Sequence, residues 1–374
     1  MLLQMWRDKN CLSADKSILL AMISHFKRSR KLQNIKHPSK SEFSFYYLCL
    51  LKVKICTRKM PVNIPNNLPA IEALKKENIF VMSQLRAKTQ DIRPLRVLVL
   101  NLMPVKITTE TDLIRLLSNN PLQVEIEFLR LQTHVSKNTS EEHLQTFYKE
   151  FPEVRDDYYD GMIITGAPVE MFDFEDVRYW EEVSFIFDWA RIHVTSTLYI
   201  CWAAQAALYH FYGIQKDILS EKMFGIFRHE ATDKSHSLFR GFDDEFYIPH
   251  SRHTQLRDED IRNCADLQML AESGDAGVSI ISSRGGREFY FTGHSEYAPY
   301  TLDSEYKRDL DKGLPISVPV NYYKNDDPCQ PPVARWVAHG NLLFNNWLNY
   351  FVYQETPFDK EKIKDLRDIE PKEE

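Results

Sequence analysis

The chain has 374 residues, 43% hydrophobic and 27% charged, with a formal net charge of −6, long enough for one large domain or two ordinary ones with a full core. The charge is divided: residues 1–59 hold 13 Lys+Arg against 3 Asp+Glu and the remainder 34 against 50, a balance of −16. An acidic body argues against nucleic acid as the main partner, because phosphate binding needs a basic surface. No apolar run approaches the ~18 residues of a membrane span. The six cysteines form no CxxC pair, so free thiols in a reducing, cytoplasmic compartment are expected, with no membrane association.

Residues 1–59 form an atypical basic extension without glycine, containing Cys11, Cys49 and Cys56. The segment lacks the amphipathic Arg/Ser pattern of a transit peptide, and KRSRK (27–31) is best read as a solvated basic stretch. An extended reading frame is expected here, with Met60 as the functional start. From there RPLRVLVLNLMP (93–104) carries an apolar run suited to a strand buried on both faces. TETDLIRLLSNN (109–120) has helical spacing, VEIEFLRL (124–131) alternates as a strand, and SEEHLQTFYKEF (140–151) opens with a Ser cap as a helix. YDGMIITGAPVE (159–170) is a strand running into a loop, 177–193 is helical, and STLYI (196–200) is another buried strand. This order predicts an α/β fold with a doubly wound, mostly parallel, flavodoxin-like sheet. Short strands follow in 223–300, then an aromatic helix over 339–354 and a charged, frayed tail, 359–374. One catalytic domain is expected over 60–358.

In such sheets ligands gather at the carboxyl ends of the strands, which singles out NLMPVK (101–106), TGAPVE (165–170) and ICWAAQ (200–205). STLYI, Cys201 and WAAQAALYH read as strand, turn and helix, the pattern of a nucleophile elbow, where the helix N-terminus favours an anion at the sulfur. The competing reading is that Cys201 is one more small buried hydrophobe. A nucleophilic cysteine needs a base, and the base needs an orienting group. FYFTGHSEY (289–297) offers His294 at a strand end with Glu296 two residues on; alternatively His294 is an incidental loop histidine, one of twelve.

The strings NIPNNLPAIEALKKENIFVM, RPLRVLVLNLMP, LLSNNPLQVEIEFLR, YDGMIITGAPVE, HVTSTLYICWAAQAALYHFYGI, RGFDDEF, PHSRH, FTGHSEY and HGNLLFNNWLNYFVYQ resemble homoserine O-acyltransferases of the homoserine O-succinyltransferase type. These are the first committed enzymes of methionine biosynthesis. The resemblance spans about Met60 to Phe358. It implies a fold like that of class I glutamine amidotransferases, with Cys201 as the nucleophile that takes the acyl group from acyl-CoA as a thioester. His294 would be the general base and Glu296 its orienting partner. Lys222, Ser251 and Arg308 match positions that handle substrate, and Lys106 a basic residue lining the site. Ser295 departs from the proline frequent there. The backbone N–H of Trp202 is expected to serve the oxyanion hole. Implied partners are L-homoserine and acyl-CoA as co-substrate, in a homodimer, with no bound cofactor and no metal.

Succinyl-CoA users in this family tend to carry glycine where this chain has Glu170. A glutamate fills the pocket and opposes a distal carboxylate, since like charges ~4 Å apart repel by ~1 kcal/mol in water and more where water is excluded. Acetyl-CoA is therefore the expected donor, acting at the acyl-CoA specificity position Glu170, with succinyl-CoA the alternative. Glu170 as a helix N-terminal acid is compatible with either. Two further readings stand beside these: a glutamine amidotransferase-type hydrolase built on the same Cys-His-Glu set, and a silent binding module.

Overall fold

The computed structural model describes residues 94–366, apart from positions 135 and 137, together with two short parallel strands, Asn63–Ile64 and Met82–Ser83. The expectations for residues 1–59 lie outside the described residues.

The first half alternates as its periodicities require. β1 (Leu95–Leu100), α1 (Lys106–Ser118), β2 (Val124–Arg130), α2 (Glu141–Phe147), β3 (Tyr148–Glu150), β4 (Tyr159–Ile164), α3 (Trp180–His193), β5 (Val194–Ile200) and α4 (Trp202–Tyr212) follow in order. The second half is strand-rich: β6 (Lys216–Ala231), β7 (Phe246–Leu256), α5 (Asp258–Asn263), β8 (Leu267–Ser273), β9 (Gly277–Ser283), β10 (Glu288–Phe291), α6 (Thr301–Asp311) and α7 (Val337–Asn346). All ten strands form one sheet, in the order β3-β2-β1-β4-β5-β10-β9-β8-β6-β7. From β3 to β10 neighbouring strands are parallel. From β10 to β7 they are antiparallel.

The period of two in β1, β4 and β5 decides the layering. Leu98, Leu100, Met162, Ile164 and Tyr199 face one core with Ile186 and Phe187 of α3 and Trp202 and Leu208 of α4. Val97, Val99, Ile163, Leu198 and Ile200 face the other, with Leu113 and Leu117 of α1 and Leu343 and Phe344 of α7. Helices on both faces of parallel strands are the doubly wound arrangement the sequence predicts. Gly161 in β4 marks a close approach, because a Cβ there would stand 3.0 Å from the ring of Trp347, whose Nε1 donates to Ser196 Oγ at 3.0 Å.

Four local expectations change. α1 begins at Lys106, one turn before the predicted Thr start, since the chain turns at once after β1. YKE, expected to finish a helix, pairs with β2 as β3 instead; the edge of the sheet offers ladder partners that the pattern of a single segment does not reveal. The aromatic helix near the end switches to a π-helix at Trp347–Tyr353. The start of the tail, Lys360–Asp365, is a 3-10 helix with Ile363 fully buried, and Leu366 O accepts from Arg287 Nη1 at 2.9 Å. Here one apolar residue and a carbonyl anchor outweigh the surrounding charge.

Candidate active site

Parallel neighbours end at the same level, and this brings the two halves of the site together. β5 and β10 pair in register through Ile200 and Phe291, so Cys201 follows one strand where Thr292, Gly293 and His294 follow the other. Cys201 has φ 52° and ψ −114°, a conformation that costs a non-glycine residue about 1–3 kcal/mol and is kept only where its surroundings impose it. Its N–H donates to Phe291 O at 2.7 Å, and its carbonyl accepts from Gln205 N at 3.2 Å. The turn therefore fixes the sulfur at the N-terminus of α4, with 6% of the residue exposed. Trp202 is the first residue of that helix, where backbone N–H groups have no intrahelical acceptor.

His294 reaches the same point. Its N–H is anchored on Pro249 O at 2.8 Å, its ring stacks on Tyr297 at 4.1 Å, and Nδ1 is paired with Glu296 Oε1 at 2.6 Å. Cys201 acts on the imidazole through space, and with Nδ1 taken by Glu296, Nε2 is the nitrogen left for its sulfur. Burial penalises the imidazolium, yet the charge at Cys201 and then Glu296, with the hydrogen bond to Glu296, outweighs it and holds His294 well above its ordinary range. Gly166, in the loop after β4, packs against the pair: a Cβ there would stand 3.2 Å from Cys201 Cβ and 3.6 Å from His294 Cε1.

Tyr297 carries the site onward. Its hydroxyl donates to Glu305 Oε1 at 3.0 Å, while Ser251 Oγ donates to Glu305 Oε2 at 2.5 Å. Lys222 Nζ lies 3.7 Å from both Glu305 and Asp309 and 4.2 Å over the ring of Phe224. Arg308 Nε donates to Asp309 Oδ1 at 2.7 Å, its side chain half exposed. Lys222, Ser251 and Arg308 are thus gathered from β6, β7 and α6 around two carboxylates. Glu305, Asp309 and Tyr297 were not legible in the sequence as site residues. Glu305 and Asp309 fall one turn apart on α6, beside Arg308, and that i, i+4 spacing was the available signal.

Glu170 is half-buried near Lys222, Arg252 and His253, and burial raises its carboxyl above the ordinary value. Thr254 Oγ1 lies 3.5 Å from Glu170 Oε2 and 2.8 Å from Gln205 Oε1, one turn into α4. Lys106 is placed differently. It lines a cleft with Asn101, Leu102, Arg130, His134 and Tyr179, and its Nζ donates to Asn101 O at 2.5 Å. Burial pushes it down to about 8, with Glu110 opposing and Arg130 assisting. Its link to the elbow runs through Tyr179, which packs edge-on against Trp202 at 6.0 Å.

A buried cysteine strained at a strand–helix turn, with a histidine held by a carboxylate, is the arrangement that a cysteine nucleophile requires in an α/β protein. The chain belongs to the homoserine O-succinyltransferase family, whose sequence model matches residues 61–358. It is 66% identical over 307 residues to a homoserine O-acetyltransferase of Parabacteroides distasonis, covering 82% of this chain and 99% of that one. A homoserine O-acetyltransferase of Brevibacillus brevis is 61% identical over 300 residues, 80% of this chain and 98% of its own. Among solved structures, a glutamine amidotransferase from Thermotoga maritima overlies 70% of this chain and 99% of itself, at 13% identity and a TM-score of 0.47.

Proposed function

We propose that the protein is a homoserine O-acetyltransferase that passes an acetyl group from acetyl-CoA to L-homoserine through a thioester on Cys201. The observation that carries the chemistry is the grouping of Cys201 with the His294–Glu296 pair at the ends of two paired strands, both against Gly166; the names of relatives at 60–66% identity support the substrates. The Cys201 sulfur attacks the acetyl carbonyl, the bond from carbonyl carbon to coenzyme sulfur breaks, and His294 supplies the proton to the departing thiolate. Trp202 N–H, at the helix N-terminus, receives the developing oxyanion.

Acylation itself resets the base. The charge at Cys201 is the largest influence raising His294, and a thioester carries no charge. His294, having protonated CoA, therefore remains neutral and is ready to take the homoserine hydroxyl proton as that oxygen attacks the thioester. Collapse returns sulfur and proton to the starting pair and releases O-acetyl-L-homoserine.

Recognition of an amino acid needs a cation for its carboxylate and an anion for its ammonium. Arg308 suits the first as a planar, forked donor. Glu305, reached from His294 through Tyr297, suits the second, with Lys222 and Ser251 ordering it. Glu170 selects the donor, because a carboxylate in the acyl pocket disfavours a succinyl group and leaves room for acetyl. The unpaired cysteines among the described residues, Cys201, Cys264 and Cys329, accord with a reducing cytoplasm. A homodimer acting on free small molecules completes the reading.

The test is CoA release in the presence of homoserine, comparing acetyl-CoA with succinyl-CoA in the wild type and in Glu170→Gly. Acetyl-CoA is the expected preference, weakened in the variant, with a mass gain of about 42 Da on Cys201 when homoserine is withheld. Wild-type preference for succinyl-CoA overturns the donor, and absence of the adduct overturns the thioester.

A further inference from the structure

Arg252 is buried with 1% of its surface exposed, yet among the described residues no carboxylate pairs with it. Its Nη1 donates to Thr254 O at 2.7 Å, its Nη2 to Ala276 O at 2.8 Å and its Nε to His250 Nδ1 at 3.3 Å. The histidine side of this seat is neutral. Phe227 O, 2.9 Å from His229 Nδ1, fixes the proton there and leaves Nε2 of His229 as an acceptor, with Ser279 Oγ at 2.7 Å and His250 Nε2 at 3.3 Å. Burial drives His229 down to about 4 and His250 well below its ordinary value. A guanidinium so placed has hydrogen bonds enough but no counter-charge, an arrangement with a large desolvation cost. Its balance comes through space, and the negative centres that act on it are Cys201, Glu170 and Asp258. Asp258 is committed to the backbone N–H of Val278.

We propose that Arg252 is a positioning residue for donor selection: its buried, unpaired guanidinium holds the Glu170 side chain in the charged form that rejects a succinyl group. The inference rests on the reading of Glu170 given above. Thr254 joins the two groups: its carbonyl accepts from Arg252 Nη1 at 2.7 Å and its Oγ1 lies 3.5 Å from Glu170 Oε2. The other charged groups facing Glu170 are Lys222 on β6 and His253 on β7. Lys216 also faces it, its Nζ on Glu170 O at 2.7 Å and drawn by Asp173 and Glu175 of the same loop as well. Lys222 is shared with Glu305 and Asp309, and Lys216 with Phe172 O. Arg252 alone of these cations is sealed from solvent, so salt screens it least. Burial favours the neutral carboxyl of Glu170; a hydrogen bond from the His253 backbone N–H opposes it first, and then His253, Lys222 and Arg252 through space. Removal of Arg252's charge thus moves Glu170 further towards protonation, and a protonated Glu170 no longer repels a carboxylate.

The readout is the ratio of kcat/KM for acetyl-CoA to that for succinyl-CoA, followed against pH; damage to chemistry common to both donors cancels in it. In the wild type the ratio falls as pH drops and Glu170 takes up a proton. In Arg252→Gln the fall shifts to higher pH, lowering the ratio by about threefold within the pH range of the fall, and Arg252→Lys returns it towards the wild-type curve. A folded Arg252→Gln that slows both donors in proportion, with an unshifted curve, overturns the proposal. Should Arg252→Gln not fold, His250→Leu removes the acceptor of Nε and lets the guanidinium leave its seat; a smaller shift in the same direction supports the proposal and no shift overturns it. A wild type with no acetyl preference at any pH fails the Glu170 reading itself, whereas an acetyl preference lost in Glu170→Gly but unmoved in Arg252→Gln fails only this one.

Discussion

In the parallel half of the sheet, β1, β4 and β5 are buried on both faces and present the site with scarcely any side-chain charge. What they supply is position: a strained turn, helix N–H groups and the Gly166 loop held against the sulfur. In the antiparallel half, β6, β7 and β9 bury His229, His250, Arg252, Thr254 and Ser279 and add the ionic cluster around Glu305. In the function proposed here, one half builds the reaction centre and the other recognises what enters it. His294 stands at the seam, since β10 pairs parallel with β5 on one side and antiparallel with β9 on the other. A nucleophile needs rigidity that apolar packing provides, whereas discrimination among charged substrates needs fixed charges, and these must be buried to act over short range.

The comparison breaks most sharply at the sulfur. Cys201→Ala keeps the backbone seat and its two hydrogen bonds, so folded protein with acyl transfer lower by about ten-thousandfold is expected; undiminished CoA release with homoserine removes the reaction centre from the parallel half. Next comes Glu296→Gln, which leaves Nδ1 a partner but deletes one of the two charges that raise His294. A rate loss of about a hundredfold is expected. The imidazolium, stable below its elevated value and lost as pH rises through it, is then lost earlier, so the alkaline limb of kcat/KM for acetyl-CoA moves to lower pH. An unmoved limb reduces Glu296 to a steric prop.

Smaller effects sharpen the division. Gly166→Ala adds a methyl group 3.2 Å from Cys201 Cβ, which forces a shift of a few tenths of an ångström and is expected to cost about tenfold in kcat. If both half-reactions proceed at wild-type rates, the loop is not in contact with the reacting pair. Lys106→Met tests a group away from the sulfur. With Lys106 lowered to about 8 when folded and near 10.5 when unfolded, the unfolded chain binds more protons between those values. The wild type therefore gains stability relative to the variant as pH rises from 8 towards 10.5, on the order of 3 kcal/mol across the window. Equal pH dependence of the two melting curves rules this out.

The proposed reaction centre was largely legible in the sequence, because its parts are local. An apolar strand, a cysteine and a helix-forming run specify an elbow whatever the rest of the chain does, and the His-x-Glu pair is two residues wide. Lys222, Ser251 and Arg308, the proposed substrate cluster, were legible only through resemblance, and Glu305, Tyr297 and Asp309, which gather with them, were not legible. Their partners lie on β6 and β7, remote in sequence, and Lys222 comes to them at the end of a register shift between Ile218 and Met223 that no spacing announces.

The amino-acid pattern by itself determined the alternation of strand and helix, the two-faced burial of β1, β4 and β5, and the strand–turn–helix setting of Cys201, since each depends on residues within one turn or one strand. Tertiary structure alone decided that Cys201 and His294 meet, that YKE becomes an edge strand, and that Arg252 is a buried cation without a paired carboxylate. Those outcomes depend on which strands become neighbours and on the free energy of burying charge, and both belong to the assembled sheet.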